Sequence, residues 1–170
     1  MIRRFRPQNF RIFTKDTCDF HFKPITFLTG SNSSGKSSLV KAIMVVRDYI
    51  DSLRNRHYVD GSFNPSQFNL NLSSMDLKMG TYISCVNKYS NDDVISFTYD
   101  VSSDLAPFIF EVTLSFGKSS KGDVGVEGEL ISIEVKLSDE VVLRMKRDKN
   151  MLRLEGIKCD GYLMYCFIDF

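Results

Sequence analysis

The chain has no tryptophan, two histidines, four prolines and four cysteines in 170 residues. The cysteines, Cys18, Cys85, Cys159 and Cys166, show no C-x-x-C spacing. With only two histidines beside them they do not make a structural zinc set. Free thiols in a reducing compartment are the default for such a pattern. Charge of one sign is lacking too: 22 Lys+Arg face 21 Asp+Glu, a formal net charge of +1. That balance excludes a uniformly basic nucleic-acid-binding domain, though not a local basic stripe. Long apolar runs are also missing. The longest nearly uninterrupted ones, 39–46 and 162–168, fall far short of the ~18–20 residues of a membrane span. The basic start, Met1-Ile2-Arg3-Arg4-Phe5-Arg6, leads into no apolar stretch of signal-peptide length. The expectation is a soluble cytoplasmic protein with no membrane partner. What is present suffices for a core, with 43% hydrophobic and 25% charged residues.

The chain divides into unlike parts. Residues 1–54 read as strand, strand, strand, glycine- and serine-rich loop, helix. Residues 3–13 are extended and bulky, broken by Pro7. Cys18, Phe20 and Phe22 alternate with Asp19 and His21. Pro24-Ile25-Thr26-Phe27-Leu28-Thr29 suits a short buried strand. Leu39, Ile43, Val46, Ile50 and Leu53 then recur at spacings of 4, 3, 4 and 3, one apolar face of a helix over 36–53. Residues 55–80 lose that period and form a polar loop or linker. From 81 to 170 the period becomes 2. Candidate strands are 82–88, 94–100, 108–116, 130–137, 141–147, 151–157 and 162–168. Turn residues separate them, including Ser90-Asn91-Asp92-Asp93 and Ser138-Asp139-Glu140. This part reads as an antiparallel meander.

One stretch carries chemistry. Gly30-Ser31-Asn32-Ser33-Ser34-Gly35-Lys36-Ser37 fits G-x-x-x-x-G-K-[ST], the Walker A phosphate-binding loop. Glycines at the first and sixth positions let the backbone wrap an anion. Amides from Ser33 to Ser38 would then point inward and form a nest. The helix starting near Lys36 adds its positive end. Lys36 would reach the β- and γ-phosphates of ATP, and the Ser37 hydroxyl would ligate Mg²⁺. A chance match in a serine- and glycine-rich turn is the bland alternative. The strand-like 25–28 before the loop and the helix after it argue against that.

Catalysis needs a carboxylate at the end of a second apolar strand. Asp169, after Leu163-Met164-Tyr165-Cys166-Phe167-Ile168, is the one candidate of the right shape. The bland reading makes it the tip of another meander strand.

Arg6-Pro7-Gln8-Asn9-Phe10-Arg11 followed by Phe22 to Leu39 resembles the N-terminal lobe of bacterial ABC-type, AAA-family ATPases of the RecF/SMC/OLD group. Those proteins open with an "NFR" strand, an extended hairpin and a G-x-N-x-S-G-K-S-S-L loop. Asn32, Ser34, Ser38 and Leu39 match positions that the general Walker A pattern leaves free. Residues 72–82 are similar to a "dLGsf" segment of the group. The specific likeness covers about half the chain.

The resemblance implies an α/β (α+β) P-loop lobe: a mixed sheet, one main helix and an antiparallel meander. It implies ATP and Mg²⁺ as cofactors, with Gly30, Ser31, Asn32, Ser33, Ser34, Gly35, Lys36, Ser37 and Ser38 around the phosphates. Arg11 matches the "NFR" arginine, which lies near the nucleotide in relatives. Ser33 departs from a frequent glycine. Gln67 lacks the flanks of a Q-loop glutamine. No signature motif, Walker B "hhhhDE", D-loop or switch histidine is apparent. The expectation is a lobe of a longer ATP hydrolase, inactive by itself, needing a C-terminal lobe and homodimerisation. DNA and anti-phage work enter through the resemblance alone. Two alternatives stay open: a complete small P-loop kinase or NTPase using Asp169, and a non-catalytic β-rich interaction module.

Overall fold

A computed structural model describes residues 2–17, 19–54, 68–72, 79–103, 106–119, 125–148 and 151–157. Its elements are β1 (Arg4–Gln8), β2 (Phe20–His21), α1 (Lys36–Arg54), β3 (Leu70–Asn71), α2 (Tyr82–Cys85), β4 (Ile95–Ser103), β5 (Ala106–Lys118), β6 (Glu127–Leu137), β7 (Glu140–Asp148) and β8 (Met151–Ile157). The strands make one sheet in the order β2-β1-β4-β5-β6-β7-β8, with β3 paired to β6. Every pairing among the described residues is antiparallel, in place of the mixed sheet expected. The expected α/β class, with one long helix and a β meander, holds at that level.

The meander follows from local chemistry. Alternation in Ile131, Ile133, Val135 and Leu137 runs through β6. Ser138 and Asp139 both take positive φ, 50° and 67°, which closes the β6–β7 hairpin with the twist its strands need. β1 joins this sheet across some 90 residues of chain, pairing Phe5 with Tyr99 and Gln8 with Ser96.

The core lies between α1 and the inner face of the sheet. Phe97 is its hub, with ring centroids 5.4 Å from Phe10, 6.1 Å from Phe5 and 6.3 Å from Phe116. Tyr49 of α1 meets Phe116 edge-on at 5.1 Å. Each such aromatic contributes about 2–3 kcal/mol by burial. The buried centre of α1 is Leu39, Ala42, Val45, Val46 and Tyr49. The expected face is therefore offset: Ile43, Ile50 and Leu53 are half-buried at its flank. A smaller cluster of Phe110, Val135 and Val142 sits apart.

Two expected strands take other forms. Residues 82–88 begin with the four-residue helix α2, because the Thr81 hydroxyl caps Ser84 N–H at 3.3 Å. Residues 24–29 are not strand. Thr26 Oγ1 accepts from Lys23 N–H at 3.0 Å and donates back to Lys23 C=O at 3.2 Å, a local bond that competes with a ladder. Ile25 and Phe27 are 75% and 85% exposed. The candidate strand 162–168 lies outside the described residues.

The outer face of the sheet is polar and its charges interlock. Asp100 and Glu111 stand directly opposite on β4 and β5. Arg4 joins them, donating to Asp100 at 2.8 and 3.0 Å and to Glu111 at 2.5 Å. Lys136 reaches both Glu111 and Glu134, and Arg144 also donates to Glu134. Burial by itself would raise the Asp19 carboxyl, but the Arg6 hydrogen bond and the charges of Arg6 and Arg4 hold it below its ordinary value. Burial likewise opposes, and Arg144 and Lys136 overcome it, at Glu134. Asp92 is lowered by the Lys15 ammonium and by Val94 N–H.

Depressed carboxyls give stability that is present above the unfolded-state values and lost as pH falls through the folded ones. The urea midpoint should therefore hold from about pH 7 to about pH 5 and drop below about pH 4. A midpoint that stays level or rises below that point would refute the ion-pair account.

Candidate functional site

The candidate site is the loop that feeds α1. Gly30 has φ +136°, Ser33 +69° and Gly35 +94°. These left-handed turns fold residues 30–35 back over the helix start. The first helical bond runs from Leu39 N–H to Gly35 C=O at 2.9 Å. The amides of Lys36, Ser37 and Ser38 precede it and have no acceptor inside the helix. They stand at the positive end of a 19-residue helix.

Lys36 lies across the loop. Its Nζ donates to Gly30 C=O at 2.7 Å, to Ser31 C=O at 2.6 Å and to Ser34 Oγ at 3.3 Å. The ammonium is thus held where an anion in the loop would meet it. Ser31, Asn32, Ser33, Ser34 and Ser37 are exposed, and Gly35, Lys36 and Ser38 are partly buried. The Ser37 hydroxyl is on the open first turn, a place from which it could give a divalent cation one hard oxygen. The nine expected loop positions, 30–38, are consecutive and run from the turn at Gly30 into the first turn of α1.

Arg11 sits differently from its neighbours in the expected set. It takes φ +54°, and its guanidinium contacts Met79 Sδ at 3.8 Å. The next residue, Ile12, is the one that touches the loop. A Cβ built on Gly35 would stand 2.1 Å from Ile12 Cδ1, so a side chain there would have to displace the end of Ile12. Asp169 and Gln67 lie outside the described residues.

Beside the loop is a cleft of about 310 Å³. Phe13, Phe20, Phe27 and Leu28 form its apolar wall, facing Ser34 and Lys36. Phe13 and Phe20 meet edge to face at 5.6 Å. Sequence reasoning missed this wall and missed Ile12. Phe20 appears in the sequence only as one face of a short alternating run. Nothing local connects Ile12 with a glycine 23 positions later.

A family model described as "AAA domain" matches residues 5–155. No curated protein and no solved structure matches the chain.

Proposed function

From the chain's membership of the AAA domain family over most of its length, we propose that it binds ATP with Mg²⁺ through the loop 30–38. The single observation that carries this reading is the Lys36 ammonium held over a glycine-flanked loop at the N-terminus of α1. Such a cradle fits a polyphosphate. The loop amides would hold phosphate oxygens, Lys36 would neutralise them, and Ser37 would give the cation one ligand. The bound Mg²⁺ would supply charge neutralisation between phosphates. The site residues wrap and orient the nucleotide, and none among them is placed to remove a proton from water.

Hydrolysis would come from an ABC-type arrangement, completed by a further lobe and a second subunit. Ile25, Phe27 and Leu28, exposed immediately before the loop, support it. They form an apolar surface that such a lobe would cover.

Titration with a fluorescent Mg·ATP analogue tests the reading. Wild type should bind, and Lys36→Ala should lose about ten- to a hundredfold in affinity, the ~1.5–3 kcal/mol of a charged donor. Equal binding by the two would overturn nucleotide binding at this loop. Sustained ATP turnover by the isolated chain would overturn the need for a second lobe and favour a self-contained P-loop enzyme.

A further inference from the structure

Two of the three buried polar side chains among the described residues, Asn9 and Asn87, belong to segments joined by a backbone hydrogen bond. They hold a strained segment. Asn9 and Arg11 both take left-handed backbone angles, φ 55° and 54°, that non-glycine residues rarely adopt. Such strain persists only where surrounding contacts over-determine it. Those contacts are present. Arg11 N–H donates to Cys85 C=O at 2.7 Å, and Asn87 Nδ2 donates to Arg11 C=O at 2.9 Å. Asn87 N–H donates to Asn9 C=O at 3.1 Å, and Asn9 Nδ2 donates to Val94 C=O at 2.8 Å. The Asn87 amide has one workable orientation, because its Oδ1 accepts from Tyr89 N–H at 2.9 Å.

What this clamp delivers is Ile12. With Arg11 fixed on both its N–H and its C=O, Ile12 is set against Gly35, its Cδ1 2.1 Å from where a Cβ would stand. We infer that Asn87 is a positioning residue for the nucleotide loop, acting through Arg11 and Ile12. The segment 85–94 thereby sets the shape of a loop about 50 residues earlier in the chain. The inference rests on the nucleotide-binding reading above.

Asn87→Asp is the sharpest probe. It is isosteric and keeps the acceptor for Tyr89 N–H, but it turns a carboxylate oxygen toward Arg11 C=O where a donor stood. The variant should melt cooperatively and bind the fluorescent Mg·ATP analogue about tenfold more weakly. Ile12→Ala should also weaken binding, and Asn87→Asp should then add no further loss. That non-additivity is what transmission through Ile12 requires and what a general loss of stability does not produce. If Asn87→Asp fails to fold, Asn87→Ala takes its place in the same cycle, since it leaves room for water on Arg11 C=O. Unchanged affinity in the Asn87 variant, or losses that add, would overturn the role of Asn87 alone. No binding by wild type would overturn it together with the reading on which it rests.

Discussion

Tyr82→Ala should destabilise the fold by about 4 kcal/mol, the range for truncating a fully buried aromatic. Tyr82 is the largest fully buried side chain among the described residues. It belongs to a helix of one turn that has little stability of its own. The side chain ties that turn to the sheet. Its hydroxyl lies 2.8 Å from Asp93 C=O and 2.5 Å from Phe116 C=O, and accepts from Ile95 N–H at 3.2 Å. One proton serves two carbonyls, so the oxygen sits at the junction where β4 begins beside β5. The ring packs against β6, where a Cβ on Gly128 would come within 2.8 Å of Cε2.

Tyr82→Phe separates the two contributions. The ring stays, while the Ile95 N–H and the carbonyls of Asp93 and Phe116 lose the hydroxyl. The expected cost is about 1–3 kcal/mol. Burial pushes the phenol well above the ordinary tyrosine range. The hydroxyl therefore remains a neutral donor, and the difference between wild type and Tyr82→Phe should not change between neutral and mildly alkaline pH. Urea unfolding followed by circular dichroism measures all of this. A phenylalanine variant as unstable as the alanine variant would mean the ring packing contributes nothing, contrary to its contacts.

The same residue shows where sequence reasoning stops. Residues 82–88 read as one of the period-2 candidate strands. The outcome is set by the Thr81 cap and by a hydroxyl contact to a carbonyl 34 residues away. Periodicity carries no information about either. The hairpins were legible because their determinants are local. Ser138-Asp139 tolerates two left-handed residues, and alternation on each side fixes the register. The start of α1 was legible to the residue, since Gly35 and Lys36 mark it. Its buried face was less so. Tyr49 is central because Phe116 stands opposite, a fact of the tertiary fold.

The loop 30–38 was legible as a spacing, but its support was not. Ile12 and Asn87 carry no motif, and their roles appear only once β1 and the segment after α2 are side by side. Residues 24–29 look like a strand by composition. Among the described residues no strand pairs with them, so apolar sequence alone did not make one.

Gly35→Val should abolish measurable nucleotide binding, a loss of at least about a hundredfold, larger than that of Lys36→Ala. Two separate effects converge. The first is backbone: at φ +94° a β-branched residue is a genuine outlier, costing about 1–3 kcal/mol or forcing the peptide to turn. Turning it redirects the amides at the start of α1, the groups that would meet the phosphates. The second is space: the new Cβ would stand 2.1 Å from Ile12 Cδ1. Ile12 is half exposed, so its end can swing aside. Ile12→Ala in the Gly35→Val background should therefore restore part of the thermal stability and none of the nucleotide affinity. The two readouts part because the clash is relievable and the backbone angle is not. Recovery of binding in the double variant would show instead that the side-chain contact, and not the left-handed turn, is what the glycine serves.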